Sequence, residues 1–185
     1  MPTPTLDRRA LLKLGGGLWA ASALSLPLAA IARNATMQRD DGAFAHLDAA
    51  LAATLEAVTA RILPTTDTPG AREAGAIWFI DAALATDLGD ALPLLQAGAA
   101  ELDAVSGGDF SALAPAAQDV RLRAIEDGEF FGLMHFLTLA GTFTMSAYGG
   151  NRGEIGWDLL GFDRRHHWDP PFGHYDRGHH GEAEA

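Results

Sequence analysis

Glu129-Phe130-Phe131-Gly132-Leu133-Met134-His135-Phe136-Leu137-Thr138-Leu139-Ala140-Gly141-Thr142-Phe143-Thr144-Met145-Ser146-Ala147 is the stretch that settles the fold class. It contains no proline, and its one charged residue stands at its start. It is therefore predicted to form a helix that is apolar on nearly every side. Such a helix either runs through the centre of a core or buries a face in a partner.

The segments upstream repeat the helical period. Ala43 to Leu63 carries Leu47, Leu51, Leu55, Val58 and Ile62 at spacings of three and four, and Pro64 ends it. Thr65 to Gly70 is a turn-rich loop punctuated by Pro69-Gly70. Arg72 to Ala85 predicts a second helix, with Ile77, Trp78, Ile80 and Leu84 as its apolar positions. Asp90 is placed to cap a third, which runs through Leu94, Leu95 and Leu102 to about Val105, where Ser106-Gly107-Gly108 closes it. Ala114-Pro115 opens another that continues to about Asp127, proline being suited to a first turn. No stretch alternates with period two, and no sequence repeat is present. The fold class expected is all-α, a small irregular helical bundle of about five helices.

After Ala147 the character changes. Residues 148–185 are dense in glycine, histidine, aspartate, proline and aromatics, and an extended, mostly irregular arm is expected there. Its most distinctive run is Tyr148-Gly149-Gly150-Asn151-Arg152-Gly153-Glu154-Ile155-Gly156-Trp157. The glycines permit positive φ and close approach, and Asn151 can bond within its own turn. The spacing fits neither a dinucleotide fingerprint nor a phosphate loop, and no strand precedes it. The plain reading is a structured turn pinned by Trp157 against the core. A docking role is added to that turn, through Tyr148, Gly149, Gly150, Asn151, Arg152, Gly156 and Trp157. Trp168, Pro170, Pro171, Phe172 and Tyr175 extend the same docking expectation along the arm, as aromatics and prolines outside a core are common interface material.

His166, His167, His174, His179 and His180 stand among Asp163, Asp169 and Asp176, a density that could bind Zn²⁺, Ni²⁺ or Cu²⁺. Metal sites usually hold their ligands on rigid elements, whereas these lie among glycines and prolines near a chain end. No metal ligand is assigned, and an independent periplasmic metal-binding protein is kept as the alternative function. There is no G-x-S-x-G and no H-E-x-x-H. The acid pairs Glu126/Asp127 and Glu101/Asp103 read as solvated helix faces, and His46 and His135 stand alone. No catalytic or cofactor-binding residue is assigned, so an enzyme in its own right is the weakest reading.

Composition narrows the field further. The chain has 185 residues, no cysteine and a net charge of −11. A surface this acidic repels phosphate backbones, so nucleic acid is not an expected partner. The absence of cysteine excludes c-type haem attachment, cysteine-ligated iron–sulfur clusters and thiolate zinc sites within this subunit. Lys13 is the only lysine, and beyond the first segment there is none for Schiff-base chemistry.

That first segment is Asp7-Arg8-Arg9-Ala10-Leu11-Leu12-Lys13 followed by an apolar stretch from Leu14 to about Ala32. A basic start, an apolar middle and a small-residue exit make a signal peptide. Arg8, Arg9, Leu12 and Lys13 match the twin-arginine pattern for export of folded proteins. Gly15-Gly16-Gly17 and Pro27 make a poor membrane-spanning helix, and Ala30-Ile31-Ala32 offers a cleavage site before Arg33. Removal of the leader and its retention as an anchor both remain open, and membrane contact is expected only through it or through a complex. The layout expected is a signal at 1–32, a linker at 33–42, a helical domain at 43–147 and a docking arm at 148–185. Periplasmic localisation follows from the leader.

Four stretches together resemble the gluconate 2-dehydrogenase subunit 3 family, the small subunits of membrane-associated flavoprotein sugar and polyol dehydrogenases. They are the leader, the run Arg61-Ile62-Leu63-Pro64-Thr65-Thr66-Asp67-Thr68-Pro69-Gly70-Ala71, Phe130-Phe131, and Tyr148 to Phe162 with Gly156-Trp157 and Leu160-Gly161-Phe162. Asp7, Leu11 and the histidine-rich end depart from the pattern. The resemblance implies a non-catalytic subunit with no cofactor of its own. It implies that a large partner, a GMC-type flavoprotein, binds FAD and oxidises the substrate, and that a cytochrome c subunit or another carrier takes the electrons. The small subunit then supplies the export signal and acts as an escort, or chaperone, for the large one.

Overall fold

The structure, a computed structural model, describes residues 43–164. The leader with Arg8, Arg9, Leu12 and Lys13, the linker, the tail histidines and the anchors Trp168, Pro170, Pro171, Phe172 and Tyr175 lie outside the described residues. Within them the chain forms six α-helices and no strand: α1 (Ala49–Ile62), α2 (Ala76–Leu84), α3 (Leu92–Ser106), α4 (Pro115–Arg123), α5 (Glu129–Phe143) and α6 (Ile155–Leu159). The all-α class and the small bundle expected from periodicity are what the chain adopts. No helix among the described residues is long and apolar enough to cross a membrane.

The helix ends differ from the expected ones, each for a local reason. α1 begins at Ala49 rather than Ala43, where the Asp48 side chain accepts from the Leu51 amide at 2.8 Å as an N-cap. The residues before it turn their amides toward Asp81 on α2. α2 begins at Ala76 because Gly75, at φ 69°, breaks the expected helix. Asp90 caps nothing; Asp87–Ala91 is a 3-10 turn, and α3 starts behind it with a proline in its first turn. α4 stops at Arg123, and Gly128 closes the following turn onto the carbonyl of Ile125 at 2.9 Å.

Leu55, Val58, Ile80, Leu95, Leu102, Phe110, Met134 and Leu137 are fully buried and make the centre of the core. Each such side chain contributes about 1.5–3 kcal/mol relative to exposure. α2 and α5 are the central pair. They come together at Gly141, where an added Cβ would stand 3.0 Å from the Ala76 backbone. α3 meets α5 where the Phe130 ring lies on Gly98, so closely that a Cβ there would overlap the ring. Thr138 and Thr142 are buried on α5, and their hydroxyls donate to the carbonyls of Met134 and Thr138. This back-bonding lets a polar group sit in the core without an unmet partner.

The expected irregular arm does not begin at Tyr148. Ser146–Tyr148 and Arg152–Glu154 are 3-10 turns, and α6 follows them, so helical structure continues to Leu159. The reason is found at the end of α5.

Candidate functional site

A helix leaves its last carbonyls without intrahelical partners. At the end of α5 the Tyr148–Trp157 run satisfies them. The Gly141 carbonyl accepts from the Asn151 amide at 2.8 Å, and Phe143 accepts from the Trp157 indole N–H at 2.9 Å. The carbonyl of Thr144, the residue that caps the helix, accepts from the Asn151 side-chain amide at 2.8 Å. The other end of that side chain, Oδ1, accepts from the Gly156 N–H at 2.8 Å. Asn151 is completely buried and holds φ 43°. This left-handed conformation is one that asparagine tolerates better than most residues.

The glycines of the run answer to close approach. A Cβ on Gly150 would fall 2.0 Å from the Gly141 carbonyl oxygen, and one on Gly156 equally close to that of Thr142. Of the residues assigned to docking, Gly149, Gly150, Asn151 and Gly156 are therefore interior, while Tyr148, Arg152 and Trp157 are half-buried. The turn pinned by Trp157 is present as expected. The side chain of Asn151 and the bare faces of Gly150 and Gly156 are spent on contacts within the chain.

Arg152 ties the run to the start of the neighbouring helix α2. Its N–H donates to the Ala74 carbonyl at 2.9 Å, and its guanidinium carbon lies 4.3 Å from the Trp78 ring centre. Its stem fills the place that a Cβ on Gly75 would need. Trp78 in turn stacks with Phe44 at 4.3 Å between ring centres. Beside this stack the carboxylate of Asp81, completely buried, accepts three amides, from Ala45, His46 and Leu47, at 2.8–2.9 Å. The segment that follows the linker is thus held by α2 at the same place where the capping run ends. Sequence reasoning missed Asp81, and it placed Trp78 among the apolar positions of the second helix without its stack on Arg152. The signal for Asp81 was present, as it is the one acid in the apolar run Ala76-Ile77-Trp78-Phe79-Ile80-Asp81-Ala82-Ala83-Leu84.

The Arg61–Ala71 run is also held from within. Glu73 accepts from the Thr65 hydroxyl at 2.7 Å and the Gly70 amide at 2.8 Å, and these bonds lower its pKa, the Thr65 hydroxyl contributing most. Gly70 lies against the backbone of Leu63 and Thr65, while Thr66, Asp67, Thr68 and Pro69 are exposed. Arg61 forms a two-pronged pair with Asp119 at 2.7 and 3.0 Å, bringing α1 to α4 and holding the Asp119 carboxyl below its usual range. A surface cleft of about 240 Å³ opens beside this pair, between Ile62, Leu122 and Phe131. The Arg61 Nε and one terminal nitrogen are already engaged there, so the cleft gains little recognition chemistry from them.

Arg164 pairs with both Glu154 and Asp158. His46 and His135 are exposed on separate elements. Asp103 was expected on a solvated helix face, but it is half-buried and its carboxylate accepts from the Phe110 amide at 2.9 Å. Among the described residues no group of three or more histidines and acids could hold a metal ion.

The model of the family described as gluconate 2-dehydrogenase subunit 3 matches residues 28–163. No curated protein and no solved structure matches the chain.

Proposed function

The chain belongs to the gluconate 2-dehydrogenase subunit 3 family, and from that premise we propose that it is the escort and stabilising subunit of a periplasmic sugar, glycoside or polyol dehydrogenase. Membership makes it an accessory subunit of a dehydrogenase complex. The catalytic work, on this reading, belongs to a larger FAD-containing subunit, with a cytochrome c subunit or another carrier taking the electrons. The larger subunit folds around its flavin in the cytoplasm and is carried out with this chain through the twin-arginine route.

The observation that carries the reading is the extent of the match. It begins at the end of the leader and runs through the whole helical domain to residue 163. Ahead of it stand Arg8 and Arg9. A signal suited to folded cargo, joined to a domain of a subunit family, has a physical purpose if the cargo includes the partner. Replacing Arg8 and Arg9 together by Lys tests this. Both this chain and the dehydrogenase should then be stranded in the cytoplasmic fraction, and normal periplasmic dehydrogenase activity would refute the escort role.

A further inference from the structure

From Phe130 to Asn151 the chain carries no aspartate, glutamate, lysine or arginine, a run of 22 residues in a molecule with a net charge of −11. Part of that run is core, on the face of α5 that carries Leu133, Met134, Leu137 and Thr138. Among the described residues nothing covers the opposite face. Gly132, His135 and Phe136 are exposed, and Leu139 and Phe143 are half-buried. Their spacing of three and four puts them in one stripe along the helix. Phe136 is 42% exposed, and Met145, just past the helix end, is 53% exposed. The stripe continues beyond α5, because Trp157 is bonded to the Phe143 carbonyl and its ring lies 5.3 Å from that of Phe162. Leu160 and Phe162 there are 62% and 50% exposed.

We propose that this uncharged face of α5, continued by Met145, Leu160 and Phe162, is the surface that docks on the dehydrogenase subunit. The assignment rests on the subunit reading above and adds to it the place of contact. Interface centres are depleted of charge and enriched in aromatics and methionine, and a contiguous exposed apolar patch marks an interaction site. Charge selects the occupant. A second copy would bring together two molecules that each carry a net charge of −11, with Glu129 at one end of each stripe, while Glu154 and Asp158 at the other end are paired with Arg164. Like charges at that range disfavour self-association. The partner that fits has an apolar centre and basic side chains around it. On this geometry the Tyr148–Trp157 run acts from inside, by holding Met145, Leu160 and Phe162 in line with the helix.

The test uses the full chain co-produced with the flavoprotein that purifies with it, identified by bound flavin and substrate-dependent dye reduction. Phe136→Asp and Met145→Asp place a charge on the face, and Val120→Asp places one on exposed Val120 of α4 as a control. Each of the first two should weaken association about tenfold or more, while Val120→Asp leaves it unchanged. The melting temperature of each variant alone should stay near that of the parent, and Met145, which lies outside every helix, serves if Phe136→Asp unfolds. Equal retention of the flavoprotein by the parent, Phe136→Asp and Met145→Asp would overturn the surface assignment alone. A parent chain that retains no flavoprotein would overturn the subunit reading and this assignment with it. A parent that is a dimer in solution and is dispersed by Phe136→Asp would give the face to a second copy instead.

Discussion

The guanidinium of Arg152 lies over the ring of Trp78, 4.3 Å from its centre, and joins the turn that caps α5 to the helix that holds the entry of the domain. Such a contact contributes about 0.5–2 kcal/mol, the more so when partly desolvated. Arg152→Ala is expected to lower stability by about 1–2 kcal/mol in urea denaturation. Arg152→Lys should recover only part of the loss, because an ammonium keeps the charge but not the planar stack. Equal stability of the alanine variant and the parent would show the stack to be incidental.

Asn151 is the centre of the cap, with both ends of its amide bonded and its backbone left-handed. Asn151→Ala leaves a buried donor and a buried acceptor unmet and puts at positive φ a residue without asparagine's tolerance of that conformation, at a cost of about 2–4 kcal/mol. Asn151→Gly removes the same bonds without the backbone penalty and should cost less than alanine. An alanine variant as stable as the glycine variant would mean that the conformation carries no strain. Asn151→Asp keeps an acceptor for Gly156 and loses the donor to Thr144, so it should also destabilise.

Asp81 gathers the amides of Ala45, His46 and Leu47. Asp81→Ala should release that segment and cost about 2–4 kcal/mol, since three amides lose a charged acceptor. The specific reading is hydrogen exchange. Those three amides should exchange much faster in the variant, while amides in the middle of α3 change only as global stability changes. Unaltered protection at Ala45 to Leu47 would count against the staple.

Acid should weaken the fold through Glu73 and Asp119. Both have pKa values lowered from their ordinary 4.5 and 3.8, Glu73 first by the Thr65 hydroxyl and Asp119 first by Arg61. A lowered folded-state value means that the unfolded chain binds protons first, so stability rises with pH through this window. The contribution is present above about pH 4.5 and is lost as pH falls through 4.5 and 3.8 toward the folded-state values. Glu73 is exposed and Asp119 keeps about a third of its side chain in solvent, so screening keeps the effect small. Urea denaturation between neutral and strongly acidic pH should show a shallower acid slope in Glu73→Gln/Asp119→Asn than in the parent, and an identical slope would exclude these two groups.

Much of the bundle was legible because its core is written in local periodicity. Leu51, Leu55 and Val58 predicted one buried face of α1 and are buried, Leu47 is buried just ahead of the helix, and Ile62 at its end is half-buried. The turn at Trp157 was legible too, from glycines and an aromatic after a long apolar helix. The ends of helices were not. α5 was read to Ala147 because Thr144 to Ala147 fit the pattern, yet it stops at Phe143. What stops it is the placement of Asn151 and Trp157, which take over carbonyls that a longer helix would use. The residues assigned to docking in that run were chosen for their chemistry. Burial of Asn151 and Gly156 shows that their chemistry is spent within the chain.

The sequence by itself determined the helical class and the absence of cysteine chemistry, since each depends on residues close together or on composition. The tertiary structure decided where each helix ends, which glycines are irreplaceable and what Asp81 is for. Those answers depend on partners such as Ala45 and Asp81, or Ala74 and Arg152, that are far apart in the chain and adjacent in the fold. It also decided which side of α5 is left outside. A helix apolar all round carries no mark of the face its own bundle will cover, and only packing against α2, α1 and α3 leaves Phe136 and Met145 in solvent.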